Sequence, residues 1–245
     1  MARVALLGSA TGIGAAGARV LREKRHELVL GDVNAAALEE LAREVDATAV
    51  VLDASDPEAV RGFVDEAATE LGGLDSAWSN LGVQIAATAE TVTIEELDRS
   101  WAINVRAHAV LCGAAVRHLR DAGGGSILIT ASNAALLSEA GMLPYTVTKA
   151  AAVALARQVA RDFAPVGIRV NALCPGWVDT PFNEPAWRAY GGREGFLEAV
   201  PDLVPLRRIS TPDEIARLAA FLLSDDAAYV TGHAFVADGG ELLVV

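Results

Sequence analysis

Cysteine and metal-ligand patterns are nearly absent from this sequence of 245 residues. Its two cysteines, Cys112 and Cys174, are far apart and form no C-x-x-C pair. The four histidines are scattered without the spacing of a zinc site. We therefore predict two free thiols in a reducing compartment, no disulfide framework and no bound metal.

Positive charge and long apolar runs are also scarce. The chain carries 20 basic and 32 acidic residues, for a formal net charge of −12, and its only lysines are Lys24 and Lys149. This balance argues against a general nucleic-acid or anionic-membrane surface. Glycines interrupt the uncharged stretch 4–18, and no apolar run reaches the roughly 18 residues that a membrane span needs. We expect a cytoplasmic protein that acts on a small molecule.

Aromatic residues make up 5% of the chain, whereas hydrophobic residues of all kinds make up 52%, mostly Ala, Val and Leu. Short apolar runs alternate with amphipathic stretches, which predicts βαβ repeats and a parallel sheet. The predicted fold is α/β: a single Rossmann domain over 1–245 with a seven-stranded, doubly wound parallel sheet flanked by helices. The predicted strands are 4–7, 28–31, 48–52, 74–79, 126–130, 168–173 and 234–237. The predicted helices are 12–22, 35–45, 97–119 and 144–163, with two more that begin after caps at 55–57 and 211–214 and end near 71 and 223.

The stretch 176–210 breaks this alternation. It contains four prolines and two tryptophans and has no recognisable strand. A long irregular segment in a compact domain is usually functional. Its aromatic content favours a substrate lid over a solvent loop, and we predict that lid at about 177–210.

A tyrosine and one of the two lysines are four positions apart near the middle of the chain. Tyr145 and Lys149 open an alanine-rich apolar run that predicts a buried helix, on which positions i and i+4 share a face. An ammonium about 4 Å from the phenol would favour the phenolate by roughly 4 kcal/mol and lower the phenol pKa by as much as ~3 units. Such a tyrosine can exchange a proton with an alcohol or a carbonyl. The same spacing is common in ordinary surface contacts, so it does not decide the function alone.

A glycine-rich loop follows the first predicted strand. Gly8, Gly12 and Gly14 allow a tight turn and a close approach to a pyrophosphate, and the next helix offers its N-terminal amides. Asp32 ends the second strand, where a carboxylate accepts hydrogen bonds from a ribose 2′-hydroxyl and repels a 2′-phosphate. We therefore predict that the chain binds a dinucleotide and prefers NAD to NADP. A simple tight turn and a helix-capping role for Asp32 are the alternatives.

These features occur in the order found in classical short-chain dehydrogenases/reductases, and the chain resembles that family over essentially its whole length. The resemblance rests on the loop 8–14, Asp53, the stretch 79–82 (Ser-Asn-Leu-Gly), Asn104, Ser132 thirteen residues before Tyr145, the stretch 175–180 (Pro-Gly-Trp-Val-Asp-Thr) and the stretch 238–240 (Asp-Gly-Gly). It implies a homotetramer. It also implies a catalytic set of Asn104, Ser132, Tyr145 and Lys149, and cofactor contacts from Gly8, Ser9, Thr11, Gly12, Ile13, Gly14, Asp32, Val33, Asp53, Ala54, Asn80, Leu81, Gly82, Tyr145, Lys149, Pro175, Gly176, Val178 and Thr180.

The resemblance implies reversible hydride transfer between NAD(H) and a secondary alcohol or ketone. Tyr145 would exchange the hydroxyl proton, and Lys149 would lower its pKa and bind the nicotinamide ribose. Ser132 would orient the substrate oxygen, and Asn104 would hold a water that links Lys149 to solvent. The expected substrate pocket contains Ala134, Leu137, Leu143, Trp177, Phe182 and Trp187. Two alternatives stay open: a reductase of 3-oxoacyl thioesters of the acyl-carrier-protein type, and a dinucleotide-binding sensor or scaffold without turnover.

Overall fold

A computed structural model describes residues 1–244, and its central feature is one parallel β-sheet. The strands are β1 (Arg3–Leu7), β2 (Glu27–Asp32), β3 (Thr48–Val51), β4 (Ser76–Ser79), β5 (Gly125–Thr130), β6 (Ile168–Pro175) and β7 (Ala234–Ala237). They lie in the order β3-β2-β1-β4-β5-β6-β7, and each neighbouring pair is parallel. The predicted α/β fold with a seven-stranded, doubly wound sheet is confirmed.

Helices cover both faces of the sheet. They are α1 (Gly12–Glu23), α2 (Ala35–Val45), α3 (Pro57–Glu70), α4 (Ile94–Trp101), α5 (Ala107–Asp121), α6 (Leu143–Phe163), α7 (Glu184–Arg188), α8 (Arg193–Leu203) and α9 (Pro212–Leu223). Apolar side chains of α3, α5 and α6 pack on one face, and those of α1, α2 and α9 pack on the other. Among residues 1–244, no helix combines the length and the apolar character that crossing a membrane requires.

The strands are apolar at successive positions because both sides of the sheet are covered. In β1, Ala5 and Leu7 belong to the core on one face, whereas Val4 and Leu6 belong to the core on the other. Side chains alternate between the two faces of a strand, so a strand buried on both faces reads as a continuous apolar run. The short apolar runs of the sequence therefore identify central strands.

The strand order reverses between β1 and β4, which are neighbours in the sheet. From β1 the chain first builds outward through β2 and β3, and then returns to build β4 to β7 on the other side. In doubly wound folds, this reversal opens a crevice at the carboxyl ends of the strands, and ligands bind there. The loops that follow β1 and β4 therefore mark the expected site.

The long helix predicted at 97–119 differs from the observed structure. It begins earlier, at Ile94, because Thr93 and Glu96 form a capping box that satisfies the first free amides. It also contains a π-helical turn, Ala102–Arg106, between α4 and α5. The apolar pattern shows neither feature, because a cap is polar and a π turn changes the helical period only locally.

The segment 177–210 is mostly helical, which corrects the prediction of an irregular stretch. It contains α7, α8 and a short 3₁₀ turn at Pro181–Asn183. Buried Trp187, Phe196, Val200 and Val204 form a small apolar core of their own. These helices are short. Of the four prolines that suggested irregular structure, Pro181 and Pro185 occupy first turns, Pro201 lies inside α8, and Pro205 lies in the turn after α8.

Candidate active site

A cavity of about 1100 Å³ opens at the carboxyl edge of the sheet. Loops after β1, β4, β5 and β6 form its base, and the start of the segment 177–210 forms one wall. Most of the residues predicted from the sequence line it: Gly8, Thr11, Gly12, Ile13, Asp32, Val33, Asp53, Ala54, Asn80, Leu81, Gly82, Ser132, Ala134, Tyr145, Lys149, Pro175, Gly176, Trp177, Val178, Thr180 and Phe182. The fold thus brings one set of distant motifs to a single ligand-sized space.

Two predicted cofactor residues lie behind the glycine loop instead of on the cavity surface. The fully buried hydroxyl of Ser9 donates to the backbone oxygen of Gly31 at 3.1 Å. A β-carbon at Gly14 would lie 2.1 Å from the backbone oxygen of Gly8. Both residues therefore fix the shape of the loop, and they affect a ligand only through that shape.

Three predicted substrate residues, Leu137, Leu143 and Trp187, do not line the cavity. Leu143 is the first residue of α6, and its amide donates to the backbone oxygen of Ala87 at 3.1 Å. Trp187 is packed in the small core with Phe196. Composition indicated a substrate-facing aromatic segment, but it does not specify the direction of each side chain within short helices.

The glycine loop has the backbone geometry of an anion site. Gly8 has φ +82°, and a β-carbon there would lie 2.5 Å from the backbone oxygen of Asn80. The first amide that bonds within α1 is that of Ala15, which donates to Thr11 at 3.2 Å, and the Thr11 side chain makes no capping bond. Gly12 and Ile13 line the cavity, and their amides have no partner within the helix at its positive end, which fits a pyrophosphate.

Two carboxylates mark the other end of the cavity. Asp32 accepts hydrogen bonds from the backbone amides of Ala10 at 2.9 Å and Asn34 at 3.0 Å. Asp53 accepts one from the amide of Ser55 at 2.8 Å, and this bond lowers its pKa. A carboxylate has about four lone-pair positions, so Asp32 keeps acceptor capacity for a ribose hydroxyl.

Tyr145 and Lys149 share one face of α6, as the spacing predicts, and both are buried. The ammonium of Lys149 donates to the backbone oxygens of Thr130 at 3.0 Å and Leu81 at 3.2 Å. Its nitrogen lies 5.8 Å from the centre of the Tyr145 ring. These two carbonyl bonds fix the lysine between the ends of β4 and β5, beside the phenol.

The surroundings of Tyr145 act against the expected lowering of its pKa. Burial raises the pKa of Tyr145 to about 12; its bond with the Ser132 side chain lowers it, and the charges of Glu139 and Cys174 raise it further. Burial also lowers the pKa of Lys149 to about 8, against a smaller raising effect from Cys174. Desolvation penalises the charged forms of both groups. At this site it outweighs the attraction between the Lys149 ammonium and a Tyr145 phenolate.

Ser132 begins the loop that leaves β5 and caps the short 3₁₀ turn Asn133–Ala135. Its hydroxyl donates to the side-chain oxygen of Asn133 at 3.3 Å and accepts from the amide of Ala134 at 3.2 Å. Since Ser132 also interacts with the Tyr145 phenol, both hydroxyls face the same part of the cavity.

Asn104 does not line the cavity, and its side chain is fully buried. Its oxygen accepts from the amide of Val83 at 2.8 Å, and its nitrogen donates to the backbone oxygen of Val83 at 2.9 Å and to the hydroxyl of Thr148 at 3.0 Å. Asn104 thereby ties the loop after β4 to α6, next to Lys149. These bonds position the loop after β4 against α6, and the water-holding role of Asn104 stays a prediction.

Sequence reasoning missed several cavity residues, notably Gln84, Arg99, Arg106 and Glu139. Burial raises the pKa of the Glu139 carboxyl. The sequence offered one indication of this residue: Glu139 is the single charged residue within the stretch 134–148 that precedes Lys149. Arg99 and Arg106 lie in a helix whose polar face looked like ordinary surface, so no sequence signal distinguished them.

Comparisons with known proteins place this geometry in context. A family model described as enoyl-(acyl carrier protein) reductase matches residues 8–241. The chain is 33% identical to D-threitol dehydrogenase of Mycolicibacterium smegmatis, over 97% of this chain and 92% of that protein. It is 35% identical to cis-4-hydroxycyclohexanecarboxylate dehydrogenase of Sinomonas cyclohexanicum, over 99% of this chain and 97% of that protein.

A solved structure agrees with the fold closely. L-sorbose reductase from Gluconobacter frateurii, solved in complex with NADPH and L-sorbose, superposes with a TM-score of 0.93. The two chains are 29% identical, and the match covers 100% of this chain and 98% of the other. The similarity therefore extends over the whole sheet and the segment that walls the cavity.

Proposed function

The chain belongs to the short-chain dehydrogenase/reductase family, and we propose that it interconverts a secondary alcohol and a ketone with a nicotinamide dinucleotide. The observation that carries this proposal is the convergence of Tyr145, Lys149 and Ser132 on the cavity that begins at the glycine loop. A dinucleotide bound along that cavity would have its two ends near Asp32 and near Tyr145. The cofactor supplies the hydride, and the protein supplies position and proton transfer.

The cofactor site favours NAD over NADP in this proposal. Asp32 is held by two backbone amides at the end of β2, and Val33 and Asn34, which follow it, are uncharged. A 2′-phosphate at this place would meet the carboxylate without a cation on the same turn. Titration with both oxidised cofactors tests the preference, and tighter binding of NADP would contradict it. Asp32→Ser removes the repulsion between the carboxylate and a 2′-phosphate, and it should narrow the difference between the affinities for NAD and NADP.

Tyr145 acts as the general acid and base of the proposed reaction. With a pKa raised to about 12, its phenol is protonated in the protein as it stands, which suits donation of a proton to a ketone oxygen. Lys149 donates to two backbone oxygens and keeps a third proton for the cofactor ribose. Ser132 is proposed to orient the substrate oxygen, because it lines the same cavity as Tyr145 and its side chain lowers the Tyr145 pKa.

The segment 177–210 is proposed as the substrate lid. Trp177 and Phe182 line the cavity, and the Phe182 ring centre lies 6.2 Å from that of Tyr145. The small core around Trp187 is separate from the two cores that pack against the sheet. We also propose a homotetramer in the cytoplasm, which the family membership supports; sedimentation of the purified protein tests the assembly.

The decisive experiment follows reduced nicotinamide by its absorbance. Purified protein is given NAD or NADP with a panel of polyols and cyclic alcohols, and the reduced cofactors with the matching ketones. Tyr145→Phe should lower turnover by roughly 10²- to 10⁴-fold while dinucleotide binding is retained. Tyr229→Phe is the matched control, because that side chain is fully exposed. Substantial turnover by Tyr145→Phe would refute the assignment.

Two other functions remain to be tested in the same assay. A 3-oxoacyl thioester with either reduced cofactor tests the acyl-carrier-protein type of reductase. The description of the matched family model names the same class of carrier but a different reaction, enoyl reduction. Dinucleotide binding without turnover on any substrate would favour a sensor or scaffold. The joint placement of Ser132, Tyr145 and Lys149 on one cavity supports catalysis over that last alternative.

A further inference from the structure

A buried carboxylate near the end of the chain joins two parts of the active site. Glu241 is 6% exposed and begins a short 3₁₀ turn at Glu241–Leu243. One of its oxygens accepts from the side-chain nitrogen of Asn133 at 2.7 Å, and the other accepts from the indole nitrogen of Trp177 at 3.1 Å. Asn133 follows the candidate catalytic serine, and Trp177 is the first residue of the proposed lid.

The surrounding backbone holds this carboxylate in place. Asp238 accepts from the amides of Gly240 at 2.8 Å and Leu242 at 2.9 Å, which closes the turn on both sides of Glu241. Gly176 packs against the same turn: a β-carbon there would lie 2.7 Å from the β-carbon of Asp238 and 3.1 Å from Glu241. A buried side chain with this support has little freedom to choose other partners.

The carboxylate determines which way the Asn133 amide points. An ionised carboxylate accepts hydrogen bonds and cannot donate, whereas an asparagine side chain has a donor end and an acceptor end. The donor end of Asn133 is therefore turned toward Glu241, and its acceptor end is turned toward Ser132. The hydroxyl of Ser132 donates to that acceptor at 3.3 Å.

We propose that Glu241 is a positioning residue that acts through Asn133: Asn133 holds the proton of the Ser132 hydroxyl, which leaves the serine oxygen as an acceptor for the hydroxyl of the alcohol substrate. This inference rests on the proposed function, because it assigns a partner to the serine of that reaction. Because the same carboxylate also binds Trp177, the orientation of the serine and the docking of the lid's first residue depend on one group.

The geometry defines a pair-exchange experiment. In Glu241→Gln, the indole of Trp177, which is only a donor, takes the new amide oxygen and leaves the new amide nitrogen facing Asn133. Asn133 must then flip and present its own donor to Ser132. In Asn133→Asp, two carboxylates face each other. In the double variant Glu241→Gln with Asn133→Asp, the new amide oxygen accepts from Trp177 and the new amide nitrogen donates to the new carboxylate at position 133. That carboxylate also accepts from Ser132, so every donor again has an acceptor.

A positioning role predicts a specific pattern of turnover. Each single variant should lower kcat by roughly 10- to 100-fold, with the Kd of the dinucleotide changed less than about twofold, and the double variant should recover most of the loss. Glu40→Gln, an exposed position on α2, controls for the loss of one charge and should match the wild type. A double variant no more active than the poorer single variant would overturn the proposal.

A second readout does not depend on turnover. The side-chain amide signal of Asn133 in a nitrogen–proton correlation spectrum is identified by its disappearance in Asn133→Asp. In Glu241→Gln that signal should shift, because its protons leave a carboxylate for a hydroxyl. An unchanged signal contradicts the inference even if the enzyme is active. A wild type without turnover on any substrate contradicts the proposed function, and the amide signal then decides the positioning role separately.

Discussion

The same substitution, glycine to alanine, should have opposite effects at two positions of this fold. Gly8 lies in the glycine-rich loop after β1 with φ +82°, and a β-carbon there would lie 2.5 Å from the oxygen and 2.8 Å from the carbon of the Asn80 backbone carbonyl. Gly62 lies on the exposed side of α3, and a β-carbon there meets nothing within 4 Å. Gly8→Ala therefore strains the loop, whereas Gly62→Ala only improves helix propensity.

The magnitudes follow from these contacts. A left-handed conformation costs a residue with a β-carbon roughly 1–2 kcal/mol, and overpacking against fixed atoms costs about 1–3 kcal/mol. Gly8→Ala should thus lower the free energy of unfolding by about 2–5 kcal/mol. Gly62→Ala should raise it by about 0.8–1 kcal/mol. At roughly 2–4 °C per kcal/mol for a chain of this size, the Tm of the first variant should fall by roughly 4–20 °C.

Urea unfolding at one protein concentration, followed by far-ultraviolet circular dichroism, measures both changes. Calorimetric titration with NAD then measures binding to the folded fraction. The Kd for NAD should increase in Gly8→Ala, because displacement of the Asn80 carbonyl widens the loop. It should be unchanged in Gly62→Ala. Equal stability of the two variants, or wild-type NAD affinity in Gly8→Ala, would refute the assignment of this loop.

Three further variants test the electrostatics and the helix caps. In the wild type, the pKa of Lys149 is lowered from 10.5 to about 8 in the folded protein, so between about pH 8 and 10.5 the unfolded chain binds more protons and the free energy of unfolding rises with pH. Lys149→Met should remove this rise. Urea unfolding at a series of pH values measures it. Glu139→Gln should move the pH profile of kcat/KM for alcohol oxidation toward lower pH, because the Glu139 charge raises the pKa of Tyr145; an unmoved profile would show that this charge does not reach the phenol. Thr211→Ala should cost about 1 kcal/mol in the same unfolding assay through loss of the α9 capping box, and an unchanged stability would contradict that cap.

The sheet could be predicted from the sequence because its signal is local. Each central strand is buried on both faces, so a run such as 4–7 is apolar without interruption, and β7 was predicted with its observed bounds. The order of motifs along the chain then fixed which loops meet at the carboxyl edge. Tyr145 and Lys149 were predictable for the same reason, since a helix places positions four apart on one face.

The contacts that refine the site could not be predicted in this way. Asn133 and Glu241 are 108 positions apart, and neither belongs to a periodic pattern that points to the other. The side chain of Asn104 was identified, but its pairing with Val83 depends on the path of the loop after β4. Local periodicity determines elements, whereas these bonds depend on the packing of elements that are distant in the sequence.

The charge balance around Tyr145 shows what the proposed chemistry still requires. Burial raises the pKa of Tyr145 to about 12 and lowers that of Lys149 to about 8, so desolvation opposes moving the phenol proton to the lysine. One buried lysine is therefore insufficient to produce a phenolate at neutral pH. In the proposed reaction, Tyr145 would become a base when further positive charge entered the cavity. Oxidised nicotinamide carries such a charge and its reduced form does not, so Tyr145 would be more acidic in the state that oxidises an alcohol and would remain a proton donor in the state that reduces a ketone.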